Sequence, residues 1–285
     1  MSADAGLPPS GPLNRAWRIF GTGFSFVTFG VAGFAAGFTL FPLLCLTTRD
    51  PAVARRRAQW LVHWWFGVFA GMMERFGLIA VEVRGEEKLR AGGALIIANH
   101  PTLIDVVLLI ARMPQVDCIV KPAIFDNPFM RWPARWAGYV CHRTPEQLIA
   151  DCTAALRAGH SLLVFPESTR TRPGEPIRMM HGAARVALES GAPVLPVAID
   201  VQPLTLTKGL PWYRVPPRTA RFVLTVGEPC PAPRGEPGPA AARRLTHQWE
   251  RWFAERTGAQ AAHPAPPHES PSPLADAPAH PQYSP

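Results

Sequence analysis

Several residue types and patterns are scarce or absent in this sequence of 285 residues. Lysine supplies only three of the 29 basic side chains, and the five cysteines are scattered with no Cys-x-x-Cys pair. The cysteines therefore indicate neither a disulfide framework nor a zinc knuckle, and they fit a reducing compartment. The sequence also has no HExxH motif, no GxSxG motif and no phosphate-cradling glycine-rich loop. These absences argue against a zinc hydrolase, a serine hydrolase and a P-loop protein.

Acidic residues are fewer than basic ones, 21 against 29, which gives a formal net charge of +8. A nucleic-acid-binding protein usually clusters its basic residues beside exposed aromatic side chains or within a reader motif. Neither pattern stands out here, so we expect no nucleic-acid partner. An anionic membrane surface fits better, because the cluster Arg55, Arg56 and Arg57 lies beside the apolar N-terminal region.

Charged side chains are missing altogether from residues 19–48, a stretch longer than the roughly 20 residues that cross a bilayer core. A second apolar stretch, residues 58–73, is rich in tryptophan and rather short to span. Together they predict either a spanning helix or a hairpin of two helices that dips into one leaflet of the cytoplasmic membrane. Both interpretations place the remaining chain on the cytoplasmic side. A cleaved signal peptide is less favoured, because its apolar region would be shorter.

From residue 78 the pattern changes to short β-branched runs separated by turn residues and amphipathic segments. This alternation is typical of an α/β domain, which we expect over residues 78–257. Residues 1–77 would form membrane-associated helices, and the Pro- and Ala-rich residues 258–285 would be a disordered tail. The predicted strands are 79–83, 94–98, 118–120, 161–165, 194–199 and 221–226, and the predicted helices include 144–158 and 181–190.

The first chemically informative segment is an apolar strand, residues 95–98, that runs into Asn99 and His100, with Asp105 five positions after the histidine. If a helix begins near Thr102, Asp105 lies about one turn inside it and can accept a hydrogen bond from one ring nitrogen of His100. The other nitrogen is then a base for a hydroxyl that attacks an acyl carbonyl. The spacing by itself also fits a helix cap and a polar loop residue.

The second segment is an apolar strand that ends in Pro166 and Glu167 and is followed by arginines at 170 and 172. Ligands of α/β sheets collect at the carboxyl ends of strands, and the guanidinium group of Arg170 suits a phosphate. Lys121 also follows a candidate strand and is either a further phosphate ligand or a solvated lysine. An ordinary Glu–Arg pair on a solvated loop is the alternative, but two such strand ends favour a binding site.

These segments resemble motifs of the glycerolipid acyltransferase family. Residues 99–105, NHPTLID, resemble its NHxxxxD motif, and residues 165–170, FPESTR, resemble its FPEGTR motif. Two weaker blocks, residues 138–143 and 192–199, resemble the GxxFxxR and VPVxPVxI blocks in the family's order. The similarity covers about residues 80–200. It implies an α/β fold with a mixed sheet flanked by helices, preceded by an N-terminal membrane helix or helical hairpin.

The resemblance implies transfer of an acyl group from acyl-CoA or acyl carrier protein to a lipid hydroxyl, with 1-acyl-sn-glycerol-3-phosphate as the first expected acceptor. No cofactor beyond the acyl donor is implied, and the expected partners are the lipid acceptor, the donor and membrane lipids. His100 would be the general base and Asp105 its orienting partner. The residues expected to bind substrate are Asn99, Lys121, Arg143, Glu167, Thr169 and Arg170.

Three positions depart from the family pattern: Ser168 stands where glycine is usual, Thr171 where serine is common, and Cys141 where phenylalanine is usual. A side chain at position 168 restricts the backbone of that turn. Acylation of a different lyso-lipid or of a pathway-specific lipid therefore remains a second hypothesis. A catalytically inactive membrane-binding module is a third, which the two intact motifs disfavour.

Overall fold

The computed structural model describes residues 11–127, 130–141, 144–172, 174–231 and 238–257. Its centre is a six-stranded sheet built from β1 (Ile79–Arg84), β2 (Leu95–Ala98), β3 (Asp117–Cys118), β4 (Leu162–Val164), β5 (Val194–Gln202) and β6 (Ala220–Val226). The strand order is β1-β6-β5-β2-β4-β3. All neighbours pair in parallel except β5 and β6, which are antiparallel. The sheet is therefore mixed, and every predicted strand is confirmed to within a few residues.

The helices of the described residues surround this sheet: α1 (Pro12–Phe38), α2 (Leu40–Leu46), α3 (Pro51–Arg75), α4 (Asp105–Ile110), α5 (Pro122–Asp126), α6 (Arg131–Trp136), α7 (Pro145–Arg157), α8 (Gly182–Ser190) and α9 (Pro239–Thr257). Side chains alternate between the two faces of a strand. Ile96 and Ala98 of β2 accordingly pack with α3 and α4, whereas Leu95 and Ile97 pack with α7, α8 and α9. The central strand is buried on both faces, as a parallel strand between helical layers should be.

Helix α1 is long and apolar enough to cross a membrane, and only 17% of its most apolar window is buried. Its first turns are fixed to the domain by Arg18, whose guanidinium donates to the carbonyl oxygen of Gly77 and to Oγ1 of Thr219. Farther along, the ring of Phe29 packs on Phe69 of α3 with the ring centroids 4.7 Å apart. The described N-terminal region is therefore a helical hairpin whose first helix exposes most of its apolar surface.

Helix α3 belongs to the core of the α/β domain. Its Leu61, Phe69 and Met73 are buried in the same hydrophobic cluster as the strands. Residues 51–75 were expected to form part of a membrane-associated unit that ends at residue 77, but they pack as a layer on the sheet. The predicted tail, residues 258–285, lies outside the described residues.

The arginine cluster beside the apolar region has a structural role that its sequence did not reveal. Arg55 forms an ion pair with the buried carboxylate of Asp117 at 2.6 Å. Arg57 donates to the carbonyl oxygen of Leu44 and to Oγ1 of Thr47 at the end of α2. Two of the three arginines thus tie α3 to β3 and α2. That the cluster faces an anionic membrane stays a prediction.

The C-terminal helix packs on the domain. Leu245, Trp249 and Phe253 of α9 are buried against the layer that contains α8 and β5. The side chain of Glu250 accepts the backbone N–H of Met179 at 2.9 Å. The apolar face of α9 therefore packs on the protein core.

Candidate active site

The candidate site lies where β2, β4, β5 and β3 end. Because these strands run in parallel, their carboxyl ends meet at one edge of the sheet, which we call the carboxyl edge. His100 follows β2, Glu167 and Arg170 follow β4, and a long connection, residues 203–219, follows β5. Strand pairing thus brings the His100 motif and the Glu167 motif together. The connection after β5 contacts both, because the carbonyl oxygen of Leu206 accepts hydrogen bonds from Leu103 and Arg170.

His100 and Asp105 are in direct contact. Nδ1 of His100 lies 2.9 Å from Oδ2 of Asp105. The same carboxylate accepts the backbone N–H of Thr102 at 2.7 Å and the Thr102 hydroxyl at 2.5 Å. Helix α4 begins at Asp105, so the prediction that the carboxylate lies one turn inside a helix starting near Thr102 is wrong. The carboxylate reaches back to Thr102, as the acidic residue of a capping box does, and residues 102–104 form a turn.

Burial controls the electrostatics of this pair. Asp105 is fully buried, and desolvation raises the pKa of its carboxyl group, while the hydrogen bond and charge of His100 oppose the rise. When Asp105 is ionised it is only an acceptor, so Nδ1 of His100 is then the donor of this hydrogen bond. Nε2 of the neutral imidazole then carries a lone pair. Within the described residues, no hydrogen bond engages Nε2, and a fifth of the His100 side chain is exposed.

Glu167 holds the backbone of His100. Its Oε1 accepts the N–H of His100 at 2.8 Å, and its Oε2 accepts the Thr171 hydroxyl at 2.5 Å. The N–H of Thr171 in turn donates to the carbonyl oxygen of His100 at 2.9 Å. Desolvation raises the pKa of Glu167. Both oxygens of Glu167 therefore contact the loops that carry His100 and Thr171, which is the geometry of a positioning residue. That Glu167 binds the acceptor stays a prediction.

Asn99 also differs from expectation. Its side chain is buried and forms two hydrogen bonds with the backbone of Ile199: Nδ2 donates to the carbonyl oxygen at 2.8 Å and Oδ1 accepts the N–H at 2.7 Å. These bonds fix the end of β2 against β5. Asn99 was predicted to bind substrate, whereas the structure commits its amide group to anchoring the strand that presents His100.

Cationic and hydroxyl groups from the loop after β4 and from the connection after β5 lie together. Arg170 is half-buried and donates from one terminal nitrogen to the carbonyl oxygen of Leu206 at 3.1 Å. Thr169 accepts a hydrogen bond from Nζ of Lys208 at 2.9 Å. The sequence predicted Thr169 and Arg170 as binding residues but did not identify Lys208. The available signal was weak: Lys208 is one of three lysines and follows a predicted strand at the ligand-binding edge.

Two other predicted residues are not joined to this group. Lys121 is exposed and precedes α5, and among the described residues no hydrogen bond or ion pair connects it with His100, Glu167 or Arg170. Arg143 lies outside the described residues. The contacts of His100 come from the two strongest motifs and from Thr171. The connection after β5 contacts Leu103 and Arg170 through Leu206.

Ser168 adopts the backbone conformation that glycine favours, with a φ of 54°. Its N–H donates to the carbonyl oxygen of Phe165, so the turn after β4 closes normally. The serine therefore does not force a different turn, although a side chain in this region of conformational space costs energy. The departure at position 168 gives weaker support for an unusual acceptor than the sequence suggested.

Comparisons with known proteins agree with this geometry. An acyltransferase family model matches residues 80–200. The chain is 25% identical over 224 residues to the 1-acyl-sn-glycerol-3-phosphate acyltransferase of Pseudomonas aeruginosa, covering 76% of this chain and 81% of that protein. It is also 34% identical over 147 residues to the lyso-ornithine lipid O-acyltransferase of the same organism, covering 50% of this chain and 54% of that protein.

A solved structure shares the fold. The crystal structure of PlsC from Thermotoga maritima, a 1-acyl-sn-glycerophosphate acyltransferase, aligns with a TM-score of 0.65 at 23% identity, covering 86% of this chain and 97% of that one. The mixed α/β sheet and its flanking helices are therefore those expected. Family model and sequence relatives lead to one conclusion: the chain is an acyltransferase, and its residues 80–200 belong to the acyltransferase family.

Proposed function

We propose that this protein transfers a fatty acyl group from acyl-CoA or acyl carrier protein to the free hydroxyl of 1-acyl-sn-glycerol-3-phosphate, producing phosphatidic acid for phospholipid synthesis. The observation that carries the proposal is the 2.9 Å contact between Nδ1 of His100 and Oδ2 of Asp105, which leaves Nε2 as the base. The acyl donor is a co-substrate, and the reaction needs no further cofactor.

The transfer is direct. The acceptor hydroxyl attacks the thioester carbonyl carbon while Nε2 of His100 removes its proton, and Asp105 stabilises the imidazolium that forms. Collapse of the tetrahedral intermediate breaks the C–S bond, and the imidazolium returns the proton to the thiolate. An ester and a free thiol result, and His100 is again neutral. No acyl-enzyme is formed in this sequence.

The phosphate of the acceptor would be held beside His100 by Arg170 and Lys208. Two hydrogen bonds hold these cations near each other. Arg170 donates to the carbonyl oxygen of Leu206, and Lys208, two residues after Leu206, donates to Thr169. Thr171, two residues after Thr169, donates its N–H to the carbonyl oxygen of His100. A phosphate bound by these cations therefore lies on the loop that contacts the base. Guanidinium and ammonium groups both form charge-assisted hydrogen bonds with phosphate oxygens.

The substrate is a membrane lipid, and α1 would keep the enzyme at the bilayer. Large apolar side chains such as Phe20, Val27 and Val31 remain more than half exposed on this helix, and exposed apolar surface of this extent is stable in lipid. The catalytic domain is proposed to face the cytoplasm, where the acyl donors are made available.

Acylation of another lyso-lipid is the second candidate. The observation in its favour is the 34% identity to the lyso-ornithine lipid O-acyltransferase, which exceeds the 25% identity to the 1-acyl-sn-glycerol-3-phosphate acyltransferase, although over a shorter region. The first candidate relies on the longer match and on the cationic pair, which suits a phosphate.

The deciding experiment offers the purified full chain a panel of lyso-lipid acceptors, with acyl-CoA and acyl carrier protein as alternative donors. Lysophosphatidic acid, lyso-ornithine lipid, lysophosphatidylcholine and monoacylglycerol span the relevant headgroups. We expect the highest kcat/KM with lysophosphatidic acid. Preference for lyso-ornithine lipid would replace the first candidate with the second, and absence of acceptor-dependent thiol release would reject both.

A further inference from the structure

The connection between β5 and β6, residues 203–219, exposes an unusual number of large apolar side chains. Leu204, Leu210 and Trp212 are 46%, 45% and 46% exposed, and Tyr213 is 53% exposed. They are concentrated within ten residues, and the loop also carries cations at Lys208 and Arg214. Soluble surfaces rarely maintain contiguous apolar patches unless these bind a partner. We refer to residues 204–214 as the apolar loop.

The apolar loop is fixed to the candidate active site. The carbonyl oxygen of Leu206 accepts the N–H of Leu103 at 3.0 Å and a guanidinium N–H of Arg170 at 3.1 Å. Leu103, which lies between His100 and Asp105 in sequence, is itself 45% exposed. The exposed apolar surface therefore reaches the turn that positions the catalytic pair.

The apolar loop also touches α1. A Cβ atom placed on Gly23 would lie 3.1 Å from the indole ring of Trp212, so the absence of a side chain at position 23 allows the ring to pack on the helix. The neighbouring residue Phe24 is 46% exposed, and Phe20 is 62% exposed. One apolar surface thus runs from the candidate membrane helix through Trp212 to the edge of the active site.

We propose that the apolar loop inserts into the interfacial region of the same bilayer that holds α1, and so presents the carboxyl edge of the sheet to membrane lipids. Tryptophan and tyrosine favour the membrane interface, and an apolar surface with adjacent cations binds anionic lipid surfaces. Lys208 and Arg214 supply the cations. This inference rests on the proposed function, because it explains how a lipid acceptor reaches His100 without leaving the bilayer.

The choice of a bilayer over a protein partner follows from the continuity with α1. The surface is formed jointly by a helix with the length and apolarity of a membrane span and by a loop rich in interfacial residues. A protein that covered the apolar loop would have to displace the lipid around Phe20 and Phe24. A single bilayer can cover both α1 and the apolar loop at the same time.

Photo-crosslinking tests this placement without relying on activity. The full chain would be reconstituted in vesicles of phosphatidylglycerol and phosphatidylcholine that contain a phospholipid with a diazirine in its acyl chain near the headgroup. Trypsin cleavage after Lys208 and Arg214 releases residues 209–214, GLPWYR. We expect lipid adducts on this peptide at least about fivefold above those on residues 245–251 of α9, which lie on the opposite helical layer. Adducts on α1 but none on residues 209–214 would overturn the inference.

Two double variants test whether insertion of the apolar loop into the bilayer is needed for acylation of a vesicle-bound acceptor. Leu210→Glu with Tyr213→Glu adds two negative charges to the apolar loop, and Ala240→Glu with Gln248→Glu adds the same charge to exposed positions of α9. We expect the first pair to lower activity on a long-chain acceptor in vesicles by about tenfold or more, since glutamate is strongly disfavoured in apolar lipid. Activity on a short-chain acceptor dissolved as monomers should stay within about twofold of wild type, and the α9 pair should match wild type on both acceptors.

The outcomes separate this inference from the proposed function. Equal losses on vesicle-bound and dissolved acceptors would show that the apolar loop acts in the reaction or the fold, and would overturn its role in docking. No loss on vesicles would also overturn it. If the wild-type protein acylates neither form of lysophosphatidic acid, the proposed acceptor fails, while the crosslinking result still decides where the loop lies.

Discussion

Oε1 of Glu167 accepts the backbone N–H of His100 across 2.8 Å, so the residue that follows β4 fixes the residue that follows β2. The second oxygen of Glu167 accepts from Thr171, which donates back to the carbonyl of His100. This closed ring of hydrogen bonds sets the position of the proposed base. The motif alone suggested Glu167 as a substrate ligand, whereas these contacts favour a positioning role for it.

Replacing Glu167 should lower kcat more than it changes KM. Glu167→Ala leaves the part-buried N–H of His100 without an acceptor and releases the loop. We expect kcat to fall about 10²-fold, because small displacements of a catalytic group are costly. Glu167→Gln keeps an oxygen for His100 and offers an amide N–H to Thr171. The glutamine variant should retain activity to within about fivefold. Equal and severe losses in both variants, confined to KM, would indicate direct acceptor binding instead.

The stability difference between Glu167→Gln and wild type should depend on pH. Burial raises the pKa of Glu167 above its ordinary value of 4.5. The folded state therefore binds this proton more tightly than the unfolded state, and the resulting stabilisation is present in acid and is lost as pH rises through the raised pKa. Glu167→Gln lacks this loss. Its Tm relative to wild type should increase as pH rises from 4.5, and a difference that decreases would contradict the burial effect.

Ser168→Gly should stabilise the protein. A non-glycine residue at a φ of 54° is strained by about 1–2 kcal/mol, part of which is offset by the greater freedom of glycine in the unfolded chain. We expect the free energy of unfolding to increase by about 0.5–1 kcal/mol, with kcat/KM for lysophosphatidic acid unchanged. Ser190→Gly is the control: Ser190 lies in the last turn of α8, so glycine should destabilise there. A large shift in acceptor preference on Ser168→Gly would restore the idea that this serine selects the acceptor.

Lys208→Met tests the cationic pair at the acceptor site. Loss of one charge-assisted hydrogen bond to phosphate should raise the KM for lysophosphatidic acid by about tenfold. The KM for monoacylglycerol, which has no phosphate, should not change. Lys88→Met is the matched control, because Lys88 pairs with Glu228 away from the carboxyl edge. Lys121→Met tests the predicted phosphate ligand, which no hydrogen bond of the described residues joins to the site. A rise in the KM for lysophosphatidic acid in this variant alone would place the phosphate nearer α5.

The sequence predicted the strands and the meeting of the two motifs because those features depend on local patterns. Short apolar runs determined the strands, and parallel pairing then brings His100 and Glu167 to the same edge. The sequence could not predict the backbone contacts of Asn99 and Glu167, because a polar side chain in a motif can face a ligand or the backbone. Only the tertiary contacts with Ile199 and His100 distinguish these roles.

Long-range packing is the other part of the structure that local patterns did not predict. The tryptophan-rich stretch in α3 resembled an interfacial segment, but its opposite face carries Leu61, Phe69 and Met73, which fill the core beneath the sheet. The ion pair between Arg55 and Asp117 could not be predicted from the arginine cluster, because Asp117 lies more than sixty residues later in the chain. Lys208 belongs to no motif, and its position depends on the path of the connection after β5.

The central claim is that His100 is the general base, and the most direct measurement is the kcat of purified His100→Ala with lysophosphatidic acid and an acyl thioester. We predict a fall of about 10²- to 10⁴-fold, with the protein still folded and bound to vesicles. His160→Ala is the matched control, because His160 also contacts a buried carboxylate, with its Nδ1 3.2 Å from Asp117. That variant should retain kcat, whereas a His100→Ala enzyme with near-wild-type kcat would contradict the account.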